Sequence, residues 1–373
     1  MIEVSQSIEI KGQHNTAIVF NPALDDASFQ QVRRIMDRPE FSDSVFRFMP
    51  DIHYGKGATV GTTMTLTDKV TPHFIGVDIG CGVSVTQLNI GSHEVSQKDF
   101  LKRFDRQVKQ QVPRGFNKHA AHQPAPLVKP TEFIIKDQLD SNTFYQSIGT
   151  LGGGNHFISL EVSQQGEVYL LIHTGSRNIG HTVATVYQGY ADRSITASDK
   201  DSGILTGQLF EDYLHDLHLA QQYALQNRQH IRNVILDVMA LQAVEAFDTV
   251  HNYIEVDTKI ARKGAVSAQK GEKLVIPFNS RDGSVIAIGK GNPNWNYSAP
   301  HGAGRMMSRH QARKRVSLVD YQKMMTGVYS STISKQTLDE APPAYKDYQE
   351  ILRLSEPTIE VVDYLKPVYN LKG

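Results

Sequence analysis

The chain has one cysteine, Cys81, and one tryptophan in 373 residues, and its formal charges cancel, with 39 basic against 39 acidic side chains. A single thiol excludes an intrachain disulfide framework, and beside nine methionines it fits a reducing compartment. No run of about 18 uninterrupted apolar residues occurs, so no membrane-spanning helix is expected. The opening Met1-Ile-Glu-Val-Ser-Gln6 lacks the basic start and apolar core of a secretory signal, and a cytoplasmic location is the expectation. Balanced charge removes any long-range pull of the whole molecule on nucleic acid, so a phosphate-rich partner must be held by a local patch. What is present, 40% hydrophobic and 21% charged residues, makes a globular chain of one large domain or two of ordinary size.

Short β-rich runs alternate with helical stretches, without an internal repeat or low-complexity tract. The strand candidates are residues 59–66, 82–88, 157–162, 168–173 and 284–288, each starting or ending at a glycine-rich or histidine-bearing turn. Apolar residues spaced three and four apart over residues 211–251 predict two helices with a break near Asn227 to His230; further helices are predicted over 96–110 and 344–354. Residues 112–130 contain four prolines and read as a surface loop. Candidate site residues lie on both sides of it, which favours one cooperative domain over residues 1–373. The fold class expected is α+β, with mixed and antiparallel sheets flanked by helices around a central cleft.

Cys81 sits in Phe74-Ile-Gly-Val-Asp-Ile-Gly-Cys-Gly-Val83, three residues after Asp78 and framed by glycines. Taken alone, a lone cysteine is an inert buried residue. Its company changes the reading: His156 follows Leu151-Gly-Gly-Gly-Asn155, His173 ends a strand, and His251 closes the long predicted helical stretch. Histidine at a strand end beside glycine is a way of pointing imidazoles into one cleft. A thiolate, a carboxylate and three imidazoles exceed the needs of one tetrahedral ion, so two divalent ions sharing the sulfur use them better. Such a pair suits phosphoryl chemistry.

The densest cluster is His301-Gly-Ala-Gly-Arg305, read as a loop-to-helix transition whose backbone N–H groups would face an anion. His301 beside Arg305 has the makings of a nucleophile at phosphorus. A helix cap in a surface turn is the alternative reading of this segment.

In order, Met49-Pro-Asp-Ile-His-Tyr-Gly-Lys-Gly-Ala-Thr-Val-Gly61, Val77-Asp-Ile-Gly-Cys-Gly-Val83, Gly149-Thr-Leu-Gly-Gly-Gly-Asn-His-Phe157, His173-Thr-Gly-Ser-Arg177, Arg262-Lys-Gly-Ala-Val-Ser267 and His301-Gly-Ala-Gly-Arg-Met-Met-Ser308 resemble the motifs of the RtcB family of RNA ligases. The closing Val368-Tyr-Asn-Leu-Lys-Gly373 looks like that family's C-terminus. The resemblance implies a GTP- and Mn²⁺-dependent ligase joining an RNA 3′-phosphate or 2′,3′-cyclic phosphate to a 5′-hydroxyl through a guanylated histidine. By similarity Asp78, Cys81 and His156 would hold one Mn²⁺ and Cys81, His173 and His251 the other. His301 matches the histidine that attacks GTP. Asn155, Lys263, Arg305 and Lys372 match nucleotide- or phosphate-contacting positions, with Gly302, Ala303 and Gly304 in the same loop. Arg177 looks placed for an RNA phosphate, and Asp51 and His53 border the site. The compact length resembles a branch associated with the release factor homologue PrfH, which suggests a role in repair of broken ribosomal RNA rather than tRNA splicing.

Two departures from the family pattern stand out. A glutamate that reads the guanine edge is expected four residues after the asparagine, but the chain has Ser159 there and Glu161 two residues later. The family's Pro-Gly-Ser-Met-Gly turn is replaced by Pro277-Phe-Asn-Ser-Arg-Asp-Gly283, so Phe278 and Arg281 add bulk and charge to a phosphate-proximal loop. Elsewhere His215 and His218 read as ordinary helix residues. Trp295 and Tyr297 fit either base stacking or packing, and Arg309, Arg313, Lys314 and Arg315 fit either RNA contact or a solvated face of the helix expected to begin near His301. Two other functions use the same residues: a metal-dependent phosphatase or nuclease, and an inactive protein that binds RNA ends.

Overall fold

The computed structural model describes residues 7–124, 126–193 and 203–373. Its largest sheet has seven strands, all antiparallel, in the order Ala243–Val250, Gly82–Leu88, Val168–Thr174, Phe157–Val162, Ile359–Lys372, Gly283–Gly289 and Lys273–Asn279. The sheet curls until its outer strands meet, the Val275 N–H donating to Thr249 Oγ1 at 3.1 Å. Alternation along the strands divides the core in two, because successive side chains point to opposite faces. Ile158, Leu160, Leu170, Ile172, Tyr369 and Leu371 pack outward against Phe104, Val108, Ile231 and Ile235 of two helices. Val83, Val85, Phe157, Leu171, Val275, Ile286 and Leu365 fill the inside of the curl.

A second sheet runs Ile8–Lys11, Thr16–Val19, Phe46–His53, Val60–Thr65, Ile260–Lys263 and Asn252–Glu255, with one parallel pair, Thr16–Val19 beside Phe46–His53. A two-stranded ribbon pairs Ala265–Ser267 with Ser298–Pro300. The α+β class with mixed and antiparallel sheets is therefore correct, and no helix of the described residues is long and apolar enough to cross a membrane.

Register explains why distant residues meet. Gly82 lies opposite both Val250 and Thr174, and Phe157 lies opposite both His173 and Lys372. Cys81, His156, His173, His251 and Lys372 thus sit at one end of five neighbouring strands. The described residues from 112 to 129 contain no helix or named strand, in keeping with the expected loop, and strands 82–88 and 157–162 have the expected bounds. The predicted helices over 96–110 and 344–354 are found at Lys98–Gln111 and Tyr348–Ser355.

The long helical stretch departs from expectation. One uninterrupted helix, Gly207–Met239, ends at a left-handed Ala240 (φ 53°), and the strand Ala243–Val250 follows. His251 therefore closes a strand. Alanine and glutamate at alternate positions made residues 243–246 look helical, whereas Phe247, Thr249 and Val250 supply the β-prone side chains. The polar pair Asn227 and Arg228 does not break the helix because both side chains are buried with partners. Asn227 Oδ1 accepts from the Gly149 and Thr150 N–H groups, and its Nδ2 donates to the carbonyls of Thr150 and Gly175. Arg228 donates to Asp248 and to the carbonyls of Gly80 and Thr174. Asn227→Ala strands several buried backbone groups at once and is expected to lower stability by on the order of 2–4 kcal/mol, read from the urea denaturation midpoint.

Candidate metal and nucleotide site

Four side chains from four strand ends converge on one buried point. Cys81 Sγ lies 3.4 Å from His156 Nε2 and 3.2 Å from His173 Nε2. His156 Nε2 lies 2.8 Å from Asp78 Oδ2, and His173 Nε2 lies 3.3 Å from His251 Nε2. The rings are oriented from behind: His156 Nδ1 faces the Leu151 carbonyl at 2.9 Å and His173 Nδ1 the Asn155 carbonyl at 3.3 Å. With the Nδ1 protons donated to those carbonyls, the Nε2 lone pairs face inward, the arrangement of metal-ligating imidazoles. Gly175 is required beside them, since a Cβ there would lie 2.1 Å from Asp78 Oδ1.

Electrostatics suits the donors to a cation. Burial holds His173 and His251 well below the usual histidine range, so both rings are neutral. Burial raises the Cys81 thiol, and the charge of Asp78 raises it further. Burial works against ionisation of Asp78 as well, but the neighbouring His156 and Arg177 side chains overcome it and hold the carboxyl below the usual aspartate range. Cys81, His156 and His173 offer ligand atoms within 4.8 Å of one another, so the residues present fit a divalent ion.

His301 faces this cluster, its ring centroid 4.9 Å from that of His251. Its Nδ1 lies 2.6 Å from Oδ2 of the fully buried Asp51, so Nε2 is the nitrogen turned away from that carboxylate. Asp51 belongs to the strand Phe46–His53 and accepts from His53 Nδ1 through its backbone carbonyl at 2.9 Å. Burial lowers His53 to about 4. Glycines make the approach: a Cβ on Gly304 (φ +74°) would lie 2.1 Å from the Asp51 carbonyl oxygen. The expected helix start at this segment is not there. His301 follows the strand Ser298–Pro300 in an irregular turn, and the helix begins only at Arg309, capped by Ser308. The backbone follows glycine chemistry rather than helix entry.

Both groups open into a cavity of about 1110 Å³, whose walls include Asn155, Lys263, Gly302, Ala303, Gly304, Arg305 and Lys372. Lys263 is buried and donates to the carbonyls of Lys56 and His73. Arg305 and Lys372 meet at Glu340, which is 2% exposed: Arg305 Nη1 reaches Oε1 at 3.3 Å and Lys372 Nζ reaches Oε2 at 3.2 Å. Arg309 joins at 2.6 Å, and Asp339 holds Arg309 and Arg313 from beside it. Sequence reasoning missed Asp339 and Glu340, because two adjacent acids before Ala341-Pro-Pro343 look like a solvated turn. Arg177 lies behind the cluster instead of on the cavity wall. Its Nε donates to Thr150 Oγ1, and its guanidinium fills the space a Gly152 side chain would need.

Other candidates resolve plainly. Trp295 is buried and stacks on Phe20 with centroids 3.6 Å apart, so packing decides its role. His215 Nε2 faces the Glu132 carbonyl at 2.9 Å, and His218 bonds Gln222 one turn along the long helix. Phe278 lines the cavity and stacks on Tyr348, while Arg281 points away and pairs with Asp282. Glu161 also lines the cavity, 3% exposed, with Ser159 Oγ donating to its Oε1 at 2.9 Å.

A family model described as "tRNA-splicing ligase RtcB" matches residues 31–143 and 134–373. The chain belongs to the RtcB family. Among its relatives, the RNA-splicing ligase RtcB of Escherichia coli K12 is 30% identical, over 87% of this chain and 89% of that protein. The tRNA-splicing ligases RtcB of Aeropyrum pernix and Nanoarchaeum equitans are 26% and 25% identical, covering 87% and 94% of this chain and 87% and 92% of their own.

Glu161 gives this RtcB family member a measurable signature. Burial raises its carboxyl from the ordinary 4.5 to about 7, against the opposing hydroxyls of Ser159 and Ser284. The folded state therefore binds this proton more tightly than the unfolded chain. The resulting stability is complete below about pH 4.5 and is lost as pH rises through about 7. A shift of that size corresponds to about 3 kcal/mol. Urea denaturation across this window is expected to show the loss in the native chain and not in Glu161→Gln.

Proposed function

We propose that the protein is a GTP- and Mn²⁺-dependent RNA ligase, that residues 1–373 act as one catalytic unit, and that it joins RNA 3′-phosphate or 2′,3′-cyclic phosphate ends to 5′-hydroxyls. The observation that carries this reading is the His301 imidazole, held through Nδ1 by Asp51 at 2.6 Å and facing the Cys/His cluster inside a cavity that also contains Arg305 and Lys372. Family membership supports the ligase class, and the relatives' names supply RNA as the material joined. Repair or splicing of RNA in the cytoplasm is the setting this implies.

Asp78, Cys81 and His156 would hold one Mn²⁺ and Cys81, His173 and His251 a second, with Cys81 shared. Bound there, the ions would neutralise phosphate charge and stabilise oxygens entering and leaving phosphorus. The protein's own residues do the rest. His301 Nε2 attacks the α-phosphorus of GTP; an N–P bond forms, the bond to the β-phosphate oxygen breaks, and pyrophosphate leaves. Asp51 accepts the Nδ1–H bond and stabilises the positive charge on the ring as the attack proceeds. Arg305, Lys372 and Lys263 sit where they can neutralise the phosphates, and Asn155 lies on the wall beside them.

An oxygen of the RNA 3′-phosphate then attacks the same phosphorus, breaking the N–P bond and giving RNA-(3′)pp(5′)G. The 5′-hydroxyl attacks the 3′-phosphate phosphorus, loses its proton, and expels GMP as the phosphodiester forms. Guanylation is needed because a phosphate oxygen is a poor leaving group and GMP a good one. Glu161, two residues beyond the position of the family's glutamate and accepting from the Ser159 hydroxyl that stands there, is the carboxyl available to the base.

Incubation with α-labelled GTP and Mn²⁺ is expected to label the protein covalently. His301→Ala abolishes the label, and Asp51→Asn slows its formation by about a hundredfold to ten-thousandfold, the range seen when an imidazole loses its carboxylate. Release of end phosphate without any label would overturn the ligase reading. Cys81→Ser replaces the shared thiolate with a weak ligand, and metal analysis of the dialysed protein is expected to fall from two Mn²⁺ per chain to one or none.

A further inference from the structure

We propose that the turn at residues 113–117 is a stacking platform for a nucleobase near the end of a single-stranded RNA, with Phe116 as the stacking ring. This rests on RNA being the substrate. Phe116 is 108% exposed, and no other phenylalanine of the chain is exposed. A single exposed ring is ordinary on a protein surface; what distinguishes Phe116 is the hydrogen-bonded turn that holds it beside a residue of the cavity wall.

The turn is held rigidly and is tied to a residue of the cavity wall. The Leu151 N–H donates to the Pro113 carbonyl and the Gly115 N–H to the Gly152 carbonyl, both at 2.9 Å. The Asn117 N–H closes the turn on the Arg114 carbonyl at 3.1 Å, and Gly115 takes the left-handed conformation (φ +63°) that presents the next side chain outward. Arg114 Nη1 donates to the carbonyl of Lys372, a residue of the cavity wall, at 3.2 Å. Phe116 is thus fixed relative to Asn155, His156 and Lys372 through only a few residues of backbone. A platform fixed in advance loses little entropy on binding.

The ground between the ring and the cavity suits a sugar–phosphate chain. Gly153 and Gly154 leave it without side chains; the nearest neighbour of a Cβ on Gly153 would be the Gly115 Cα at 3.6 Å, and that of a Cβ on Gly154 would be Nη2 of Arg309 at 3.7 Å. Residues 112–124 carry Arg114, Lys118, His119 and His122 and no acidic residue, in a chain whose total charge is zero. Exposed aromatic, flanking cations and bare backbone form the combination by which proteins bind single strands without reading sequence. A protein partner would find one ring and no apolar surround.

The test uses the full chain and a fluorescent oligoribonucleotide with a 3′-phosphate, followed by anisotropy. Phe116→Ala is expected to raise Kd about ten-fold, the effect of losing one stacked base, while Phe116→Tyr restores binding. An oligonucleotide lacking the bases near its 3′ end should bind the native chain about ten-fold more weakly and distinguish it no longer from Phe116→Ala. Covalent labelling by GTP does not involve RNA and should stay within two-fold in Phe116→Ala, which also shows that the variant is folded. Equal RNA affinity of native and Phe116→Ala chains overturns the platform, as do losses from the ring and from the bases that simply multiply. A native chain that binds RNA through Phe116 but takes no label from GTP would leave the platform standing and remove the ligase reading.

Discussion

The site depends on acceptors that face one another. Cys81 Sγ and the Nε2 atoms of His156, His173 and His251 crowd together beside Asp78 Oδ2, while the Nδ1 hydrogens of His156 and His173 are committed to the Leu151 and Asn155 carbonyls. Buried lone pairs aimed at a common point repel unless protons or cations lie between them. The fold imposes this arrangement instead of relieving it: neighbouring antiparallel strands bring the residues to one edge, and Asn227 and Arg228 bind the loops behind them. Structural burial and ligand convergence are here the same set of contacts.

The opposite wall is organised by the reverse arrangement, three cations on one buried carboxylate. Glu340 takes Arg305, Arg309 and Lys372, and the hydroxyl of Tyr345 donates to it as well. The three cations draw Glu340 below the usual glutamate range although burial alone would raise it. Asp339 shares Arg309 and holds Arg313, so two carboxylates meet four cations, and the surplus of positive charge lies at a wall that includes Arg305, Arg309 and Lys372, where a polyphosphate would complete the balance. Held this way, long flexible side chains present their charge without further ordering, which is the form of preorganisation that favours charged ligands.

What was legible in the sequence follows from how local each signal is. Cys81, His156 and His173 could be grouped because each stands at a glycine-marked end of a short β-prone run, and strand ends converge in any sheet. His251 does lie beside His173 but on a different support from the one expected, since Ala243-Val-Glu-Ala246 has helical composition and only tertiary pairing with Gly82–Leu88 makes it a strand. Asn227 resembled a helix break because helix-facing polar residues are recognised only once their partners, 50 to 80 residues away in sequence, are known. Glu340 was invisible for the same reason: acid-pair signals carry no direction. The turn after Pro300 was misassigned since glycines that permit close approach to Asp51 look, one-dimensionally, like glycines that introduce a helix.

The exchange at Ser159 keeps a carboxyl on the same face of the strand, two residues along, at Glu161. Side chains repeat every two residues, so Ser159 and Glu161 share the face that looks into the cavity, and Asn370 lies directly across from Ser159. Moving a carboxyl by two positions carries it about 7 Å along the strand. The serine hydroxyl left behind spans part of that distance by donating to Oε1, while Oε2 and Asn370 Oδ1 lack a partner among the described residues. A carboxyl near 7 in that setting can serve as donor or acceptor, unlike an ordinary glutamate, which only accepts. A neutral acid and a carboxylate complement different edges of a purine, so a base placed at this wall would meet a different partner on each side of that titration.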